Sequence, residues 1–544
     1  MKRYIKRILP AAALLMTIGM TSCTGDLDVT PIDPNKNTTV DADGLFNKCY
    51  ANLALQGNAG SGDDCDIQGL DGGTTVFVRQ MFNVNELPTD EAICAWTDEG
   101  ISSYNEASWT ASHPMVQGFY YRLYFGITVC NQYLEVVGTA DAQRAAEVRF
   151  LRALNYYYLM DTFGNVPFTE TVSSDSPAQM KRADLYAWIE KELLEIEGSM
   201  ADATPKTSST QSGYGRADKA AVWMLLSRLY LNAEVYTGTA QWAKAAEYAK
   251  KVMDSNYKLY TTAKTDKYGD TWSAYQQLFM GDNGESGASV EAILPVMYQG
   301  NKTASWGGTL FLMAGNWSSK GDMHPAKHRP TVGNGTDANW AGNRARRDLV
   351  EKFFPDGDAP NVASYDMVNE AQDDRALFWG LDRTEDVTAP SDFTKGFSVT
   401  KFLNIKSDGS DGTDGSQADT DFFLMRVAEA YLTYAEATAR LNGGATTSEG
   451  TNAINALRSR AHATEKAGYS LNDILDEWSR EFYFEGRRRI DLVRYGKFGG
   501  STDYKWQYKG GTPAGRDFES YRNIYAIPTN DITANGTLKQ NTGY

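Results

Sequence analysis

The sequence predicts a mainly α-helical body, in which tetratricopeptide-like helical pairs form a scaffold with long loop-rich insertions and a few short strands. Three observations predict it. Apolar residues at helical spacing recur in two blocks, near 141–255 and 422–495. Inside each block the helices come as adjacent pairs rich in Ala, the spacing that lets helices pack closely. Between the blocks, 50–115 and 260–420 are rich in Gly, Asp, Asn, Ser and Trp and have weak periodicity. Loops of that length in a compact body are usually functional. No Pro-rich or charged linker divides the chain, so 41–544 reads as one domain.

In chain order, residues 1–22 read as an export signal. Lys2, Arg3, Lys6 and Arg7 precede an apolar run at 8–20 that is too short to span a bilayer. Cys23 follows small residues, the pattern of a lipoprotein signal in which the Cys is lipidated and anchors the chain to a membrane. Residues 23–40, with Asp26, Asp28, Pro31 and Pro34, read as an extended acidic leader.

Residues 141–163 carry Val148, Leu151, Leu154 and Leu159 on one helical face, and Gly164 and Pro167 stop the helix. A second helix is predicted over 185–200, around Trp188, Leu193 and Ile196. A helical pair follows over 216–255, and a second over 422–461. One further helix is predicted over 471–495. In it, Arg480, Arg487, Arg488, Arg489 and Arg494 alternate with Glu477, Glu481, Glu485 and Asp491. That spacing predicts ion pairs along the helix rather than a ligand patch.

Composition narrows the function. The net charge of -16 argues against nucleic acid and against adhesion to anionic lipid. Besides Cys23 there are Cys49, Cys65, Cys94 and Cys130, irregularly spaced and without a CxxC. They read as buried thiols, with room for one bridge. No HExxH, P-loop or GxSxG is present, and Pro325 separates His324 from His328. The acidic run at 408–421 lacks EF-hand spacing. Trp96, Trp306, Trp317 and Trp340 sit in loop texture. An indole face packs against the C–H face of a sugar ring, so several such residues suggest a glycan platform.

The motifs resemble those of the SusD/RagB family of outer-membrane lipoproteins. They include Glu147, Arg149-Phe150-Leu151-Arg152-Ala153, Tyr157 and Phe163-Gly164, then Gly215-Arg216-Ala217 with Lys219-Ala220-Ala221. Tyr434-Ala435-Glu436-Ala437, Arg480-Glu481-Phe482, Glu485-Gly486-Arg487-Arg488 and Gln540-Asn541-Thr542-Gly543-Tyr544 continue them. Asn85-Glu86-Leu87-Pro88-Thr89-Asp90-Glu91 and Ala95-Trp96 resemble the starch-binding members most closely.

The resemblance implies a SusD-like fold and a non-catalytic cell-surface protein, lipid-anchored to the outer membrane. It would capture starch or a related oligosaccharide for a SusC-like TonB-dependent transporter. The tetratricopeptide-like face would meet the transporter and the loop-rich face the glycan. The implied glycan-binding residues are Trp96, Trp306, Trp340, Asp71, Arg79 and Glu99. Cys94 stands where starch-binding members carry a further aromatic, and Glu99 at or next to a sugar-binding Asn. Those departures leave room for a different polysaccharide or a glycoprotein glycan. An endo-acting glycoside hydrolase is the alternative from another class. No cofactor is required, but Asp419 and Asp421 match a calcium-associated stretch, which admits a structural Ca2+.

Overall fold

The computed structural model describes residues 40–544, apart from Asp63 and Asn301. The predicted export signal, the predicted lipidation site Cys23 and the leader as far as residue 39 lie outside the described residues. The chain falls into two units, Met1–Gly44 and Leu45–Tyr544. Of the first, only residues 40–44 are described; the second is the body treated below.

Helix makes up 42 % and strand 7 %, as the helical blocks predict. The first helix, α1, is Ala42–Ala54, and its residues from Leu45 onward belong to the body. A short helix α2, Phe77–Asn85, is buried along its whole length. The long α3, Pro114–Val136, starts at a proline, with the His113 imidazole accepting from the Val116 N–H as its cap. Next, α4 spans Ala142–Phe163 between the Asp141 cap and Gly164, one residue inside the predicted start. The following helix, α5, is Arg182–Ile196, shifted from the predicted 185–200; a 3-10 turn at Glu197–Ser199 takes up its end.

The first pair is α6, Lys219–Leu231, capped by Asp218, and α7, Trp242–Met253. Helix α8, Thr309–Ala314, lies inside the second loop-rich region. The second pair is α9, Ala428–Leu441, and α10, Ser448–Arg460. Helices α6, α7, α9 and α10 pack in the order α6–α7–α9–α10, so the two sequence blocks join into one layer. Helix α4 packs between α3 and α5.

Two expectations are corrected. The predicted helical run at 422–461 begins as a strand, Phe422–Arg426, whose residues are all buried. It pairs antiparallel with the buried strand Ala292–Val296. A short continuous apolar run fits a doubly buried strand as well as a helix.

The predicted helix over 471–495 is two helices, α11, Leu471–Phe482, and α12, Arg488–Arg494. Between them Phe484 and Gly486 take positive φ, 63° and 78°. The buried Glu86 carboxylate accepts the Gly486 and Arg487 N–H groups at 2.7 and 2.8 Å, which holds the break in place.

The arginines of this region are structural, but they are not mainly a lace along one helix. Arg487 does pair with Asp491, and Arg480 with Glu477. Arg488, however, reaches Asp90, 398 residues away, and Arg489 reaches Asp161, 328 residues away. Around α11 a buried network forms: Arg426–Glu481 at 2.6 Å, Arg375–Glu477 at 2.8 Å, Arg460–Glu291 at 3.0 Å and Lys401–Glu485 at 2.7 Å.

Candidate functional site

A two-stranded ladder positions the central tryptophans. Strand β1, Ala92–Cys94, pairs antiparallel with β2, Asn343–Ala345, with Cys94 opposite Asn343. The pairing continues past the ladder's end, where the Ala95 N–H donates to Gly342 O at 2.9 Å. Trp96 and Trp340 therefore leave the same end of one ladder, although they are 244 residues apart. The Trp96 indole N–H donates to the Trp340 carbonyl at 2.9 Å, and the rings lie 6.4 Å apart at 55°. Both rings are partly exposed.

Two glycines and the end of α8 form the seat of Trp96. A Cβ at Gly342 would stand 2.2 Å from the Trp96 ring, and one at Gly315 3.5 Å from it. The Trp340, Gly342 and Asn343 N–H groups all donate to the Ala314–Gly315 backbone. Phe311 of α8 supports Trp96 from within, 5.9 Å between centroids.

Arg79, on α2, lies against Trp96 and the Phe311 ring that supports it. Its guanidinium is 5.3 Å from the Trp96 ring centre and 5.0 Å from that of Phe311. Burial lowers its pKa. Its Nε has no hydrogen-bond partner, and Asp71 is 3.9 Å from Nη1. The cation is thus incompletely satisfied where it lies against Trp96, its Nε buried without a partner.

Asp71 caps the turn Gly72–Thr75, accepting the Gly73 and Thr74 N–H groups at 3.1 and 3.2 Å, and leaves 68 % of its side chain exposed. That turn leads to Trp306. A Cβ on Gly73 would meet Trp306 Cβ at 2.7 Å, and the Arg79 N–H donates to Gly307 O. Trp306 is 37 % exposed, and its indole donates to Ser61 O at 2.9 Å. It borders a groove of about 500 Å3 with Asn58, Lys302, Ser416 and Gln417.

Four of the six expected residues are thus joined by a chain of contacts running Asp71, Arg79, Trp96, Trp340, and Trp306 meets the turn that Asp71 caps at Gly73. Glu99 is exposed on the turn before the short helix Ile101–Asn105 and makes none of these contacts.

Cys94 is buried, and its backbone exchanges two hydrogen bonds with the Asn105 amide. Burial raises its thiol to about 11. Trp317 is not part of the platform: it is buried in a separate apolar cluster with Trp272, Met323 and Trp379.

Two residues at the site went unread in the sequence. Asp98 is exposed, and its charge acts on Arg79. His113 is buried, with its pKa lowered by burial to about 4, and its Nε2 bonds Gly100 O at 3.0 Å, holding the turn that carries Asp98 and Glu99. Neither belongs to a spacing pattern that could have revealed it.

Asp419 accepts the Thr413 backbone N–H and hydroxyl. Asp421 accepts the Tyr214 hydroxyl and, at 2.8 Å, the Tyr298 N–H. Burial raises the Asp421 carboxyl to about 7. The carboxylates are therefore engaged by protein donors, and among the described residues no group of three or more His, Cys, Asp or Glu is arranged for a metal. As they stand, these side chains do not fit a calcium site.

Known proteins resemble this chain along its whole length. A family model described as the SusD family matches residues 363–544, and one described as "Starch-binding associating with outer membrane" matches 30–231. The "Starch-binding protein SusD" of Bacteroides thetaiotaomicron is 40 % identical, with 100 % of this chain and 99 % of that one covered. A "SusD-like protein P2" of Formosa agariphila is 24 % identical over 70 % of this chain and 72 % of its own. Among solved structures, a SusD superfamily protein from Parabacteroides distasonis superposes with a TM-score of 0.63 at 20 % identity, covering 92 % of this chain and 98 % of that one. Surface glycan-binding protein A of B. thetaiotaomicron, solved with laminarihexaose, has a TM-score of 0.62 at 19 % identity, with the same coverage. At those identities the likeness is one of fold.

Proposed function

The chain belongs to the SusD family, and from that premise we propose that it is a non-catalytic, cell-surface glycan-binding lipoprotein. It captures starch or malto-oligosaccharides and delivers them to a SusC-type TonB-dependent transporter. The observation that carries this reading is the Trp96–Trp340 pair, held at one ladder end with the incompletely bonded Arg79 against Trp96. Two indoles inclined at 55° present a bent apolar surface rather than a flat one. A helical α-glucan offers a curved row of C–H faces that fits such a surface, while Arg79 and Asp71 address its hydroxyls. The full-length kinship with a protein named for starch binding supports the same ligand.

In this reading Cys23 carries the lipid that holds the body at the outer membrane. Binding needs no cofactor. A calcium ion at Asp421 would first have to displace Tyr214 and Tyr298.

Titration calorimetry of the body with maltoheptaose and a cyclic α-glucan tests the proposal, with cellulose and fructan oligomers as controls. The α-glucans are expected to bind with a Kd on the order of micromolar to millimolar. Trp96→Ala is expected to abolish the signal without changing the melting temperature by more than a few degrees. Heat only from a non-α-glucan, or α-glucan heat indifferent to Trp96→Ala, would overturn the assignment. Reducing ends released from starch by the purified protein would favour a glycosidase instead.

A further inference from the structure

We propose that Cys49 and Cys130 form a disulfide bond that ties α1 to α3 in the exported protein. The inference stands on the register of the two helices. At one end, the Phe46 and Tyr133 rings lie 5.9 Å apart. At the other, Asn52 sits against Gly126, where a Cβ would stand 2.5 Å from the Asn52 amide nitrogen. Arg122 also bonds Asn52 there, at 3.2 Å.

Stepping forward through 46, 49 and 52 on α1 steps backward through 133, 130 and 126 on α3. The helices are antiparallel, and Cys49 faces Cys130 between two observed contacts. Both are thiols in this structure and both are buried, 1 % and 0 % exposed, with Cys49 the neighbour that acts most on the Cys130 thiol. Gly126, one turn away, makes room between the helices for the Asn52 side chain.

Chemistry and compartment point the same way. Oxidation removes two electrons and two protons from the pair. A disulfide-bearing thiol oxidoreductase outside the cytoplasm supplies the oxidant and leaves as its dithiol. One protein thiolate attacks the carrier disulfide, and the second protein thiol then displaces the carrier from the mixed disulfide. Once the body has folded, the neighbouring Cys49 thiol and then burial raise the Cys130 thiol and hold it protonated, so the exchange belongs to the folding stage. Cys94, on β1, has no such partner helix and remains a thiol. The inference rests on export of the chain but not on its ligand.

The test uses full-length protein produced with its signal and recovered from the membrane fraction. It is denatured with a maleimide present and no reductant, then digested and mapped by mass spectrometry. The expected result is alkylation at Cys65 and Cys94 only, with a linked peptide pair carrying Cys49 and Cys130 that separates on reduction. Cys130→Ser is expected to release Cys49 to the reagent. Reduction is expected to lower the melting temperature by about 5 °C, since the bridge closes a long loop.

Alkylation of all four body thiols, in protein also refolded with oxidised glutathione, would overturn the proposal. A bridge with any other pairing would do the same. Titrating the same preparation with α-glucan separates this inference from the functional one, because a bridged protein that binds no α-glucan overturns only the latter.

Discussion

Gly342 sets the position of the platform through a single missing side chain. A Cβ there would stand 2.2 Å from the Trp96 ring, closer than any real contact, and the ring lies against the backbone on that side. In Gly342→Ala, Trp96 must therefore tilt away, and the angle it makes with Trp340 must change. Loss of a properly angled stacking partner is expected to weaken α-glucan binding roughly tenfold. Because both rings are partly exposed, the fold should survive. Calorimetry beside a thermal melt separates the two effects; unchanged affinity would mean that the indole pair is not a fixed template. The tryptophans themselves were legible in the sequence because they stand in loop texture. Which of them share a face was not. Trp317 has the same sequence surroundings as Trp306 yet is buried with Trp272 and Trp379, since burial in a satellite cluster depends on chain segments distant in sequence.

At the scale of elements, α11 shows how a polar-looking helix becomes core. Glu477 and Glu481 are buried, and both are held below the usual carboxylate range, Glu481 at about 2. Burial alone would raise them, but the surrounding arginines, Arg375, Arg426 and Arg460 among them, outweigh it. Breaking such a network on one side leaves an unpaired buried cation, so Glu481→Gln is expected to cost about 3–5 kcal/mol at pH 7.

The sign of the pH dependence follows from the depressed value. The native state holds Glu481 ionised where the unfolded chain, near 4.5, would take up a proton. The stabilisation is thus complete above about pH 4.5 and is lost as pH falls towards 2. Urea unfolding of the native protein and the variant at pH 7, 4 and 3 should show the gap narrowing downward; a constant gap would assign the loss to packing. The alternation of Arg and Glu made the charges of this helix legible, and their structural role with them. The partners of Glu477 and Glu481, Arg375, Arg426 and Arg460, were hidden, because ion pairs between segments far apart in sequence leave no local spacing.

At the scale of the molecule, the chain closes on itself through its final segment. The Asn541 amide donates to the carbonyls of Phe163, where α4 ends, and Tyr525, both at 2.7 Å. The Tyr544 hydroxyl accepts the Trp109 indole N–H at 2.7 Å and donates to Ile524 O. Trp109 in turn stacks on Tyr525, with centroids 4.3 Å apart. The helical blocks were legible because apolar residues recur at helical spacing and stops such as Gly164 mark their ends in sequence. Helix α3 was not, although it is the longest of those named above. It carries apolar and aromatic residues on most of its sides, so no amphipathic period stands out.

The closing contacts were visible as a motif but not as a mechanical link. Deleting residues 541–544 removes the four side-chain hydrogen bonds named above and uncovers a buried indole. That is expected to cost about 3–5 kcal/mol, from roughly 1 kcal/mol per bond and the lost aromatic contact. None of these groups touches Trp96, Trp340 or Arg79, so the folded fraction should bind α-glucan with unchanged affinity. Guanidinium unfolding and calorimetry on the truncated chain check both halves. Lost affinity at full stability would mean that the closing segment acts on the glycan face rather than on the body.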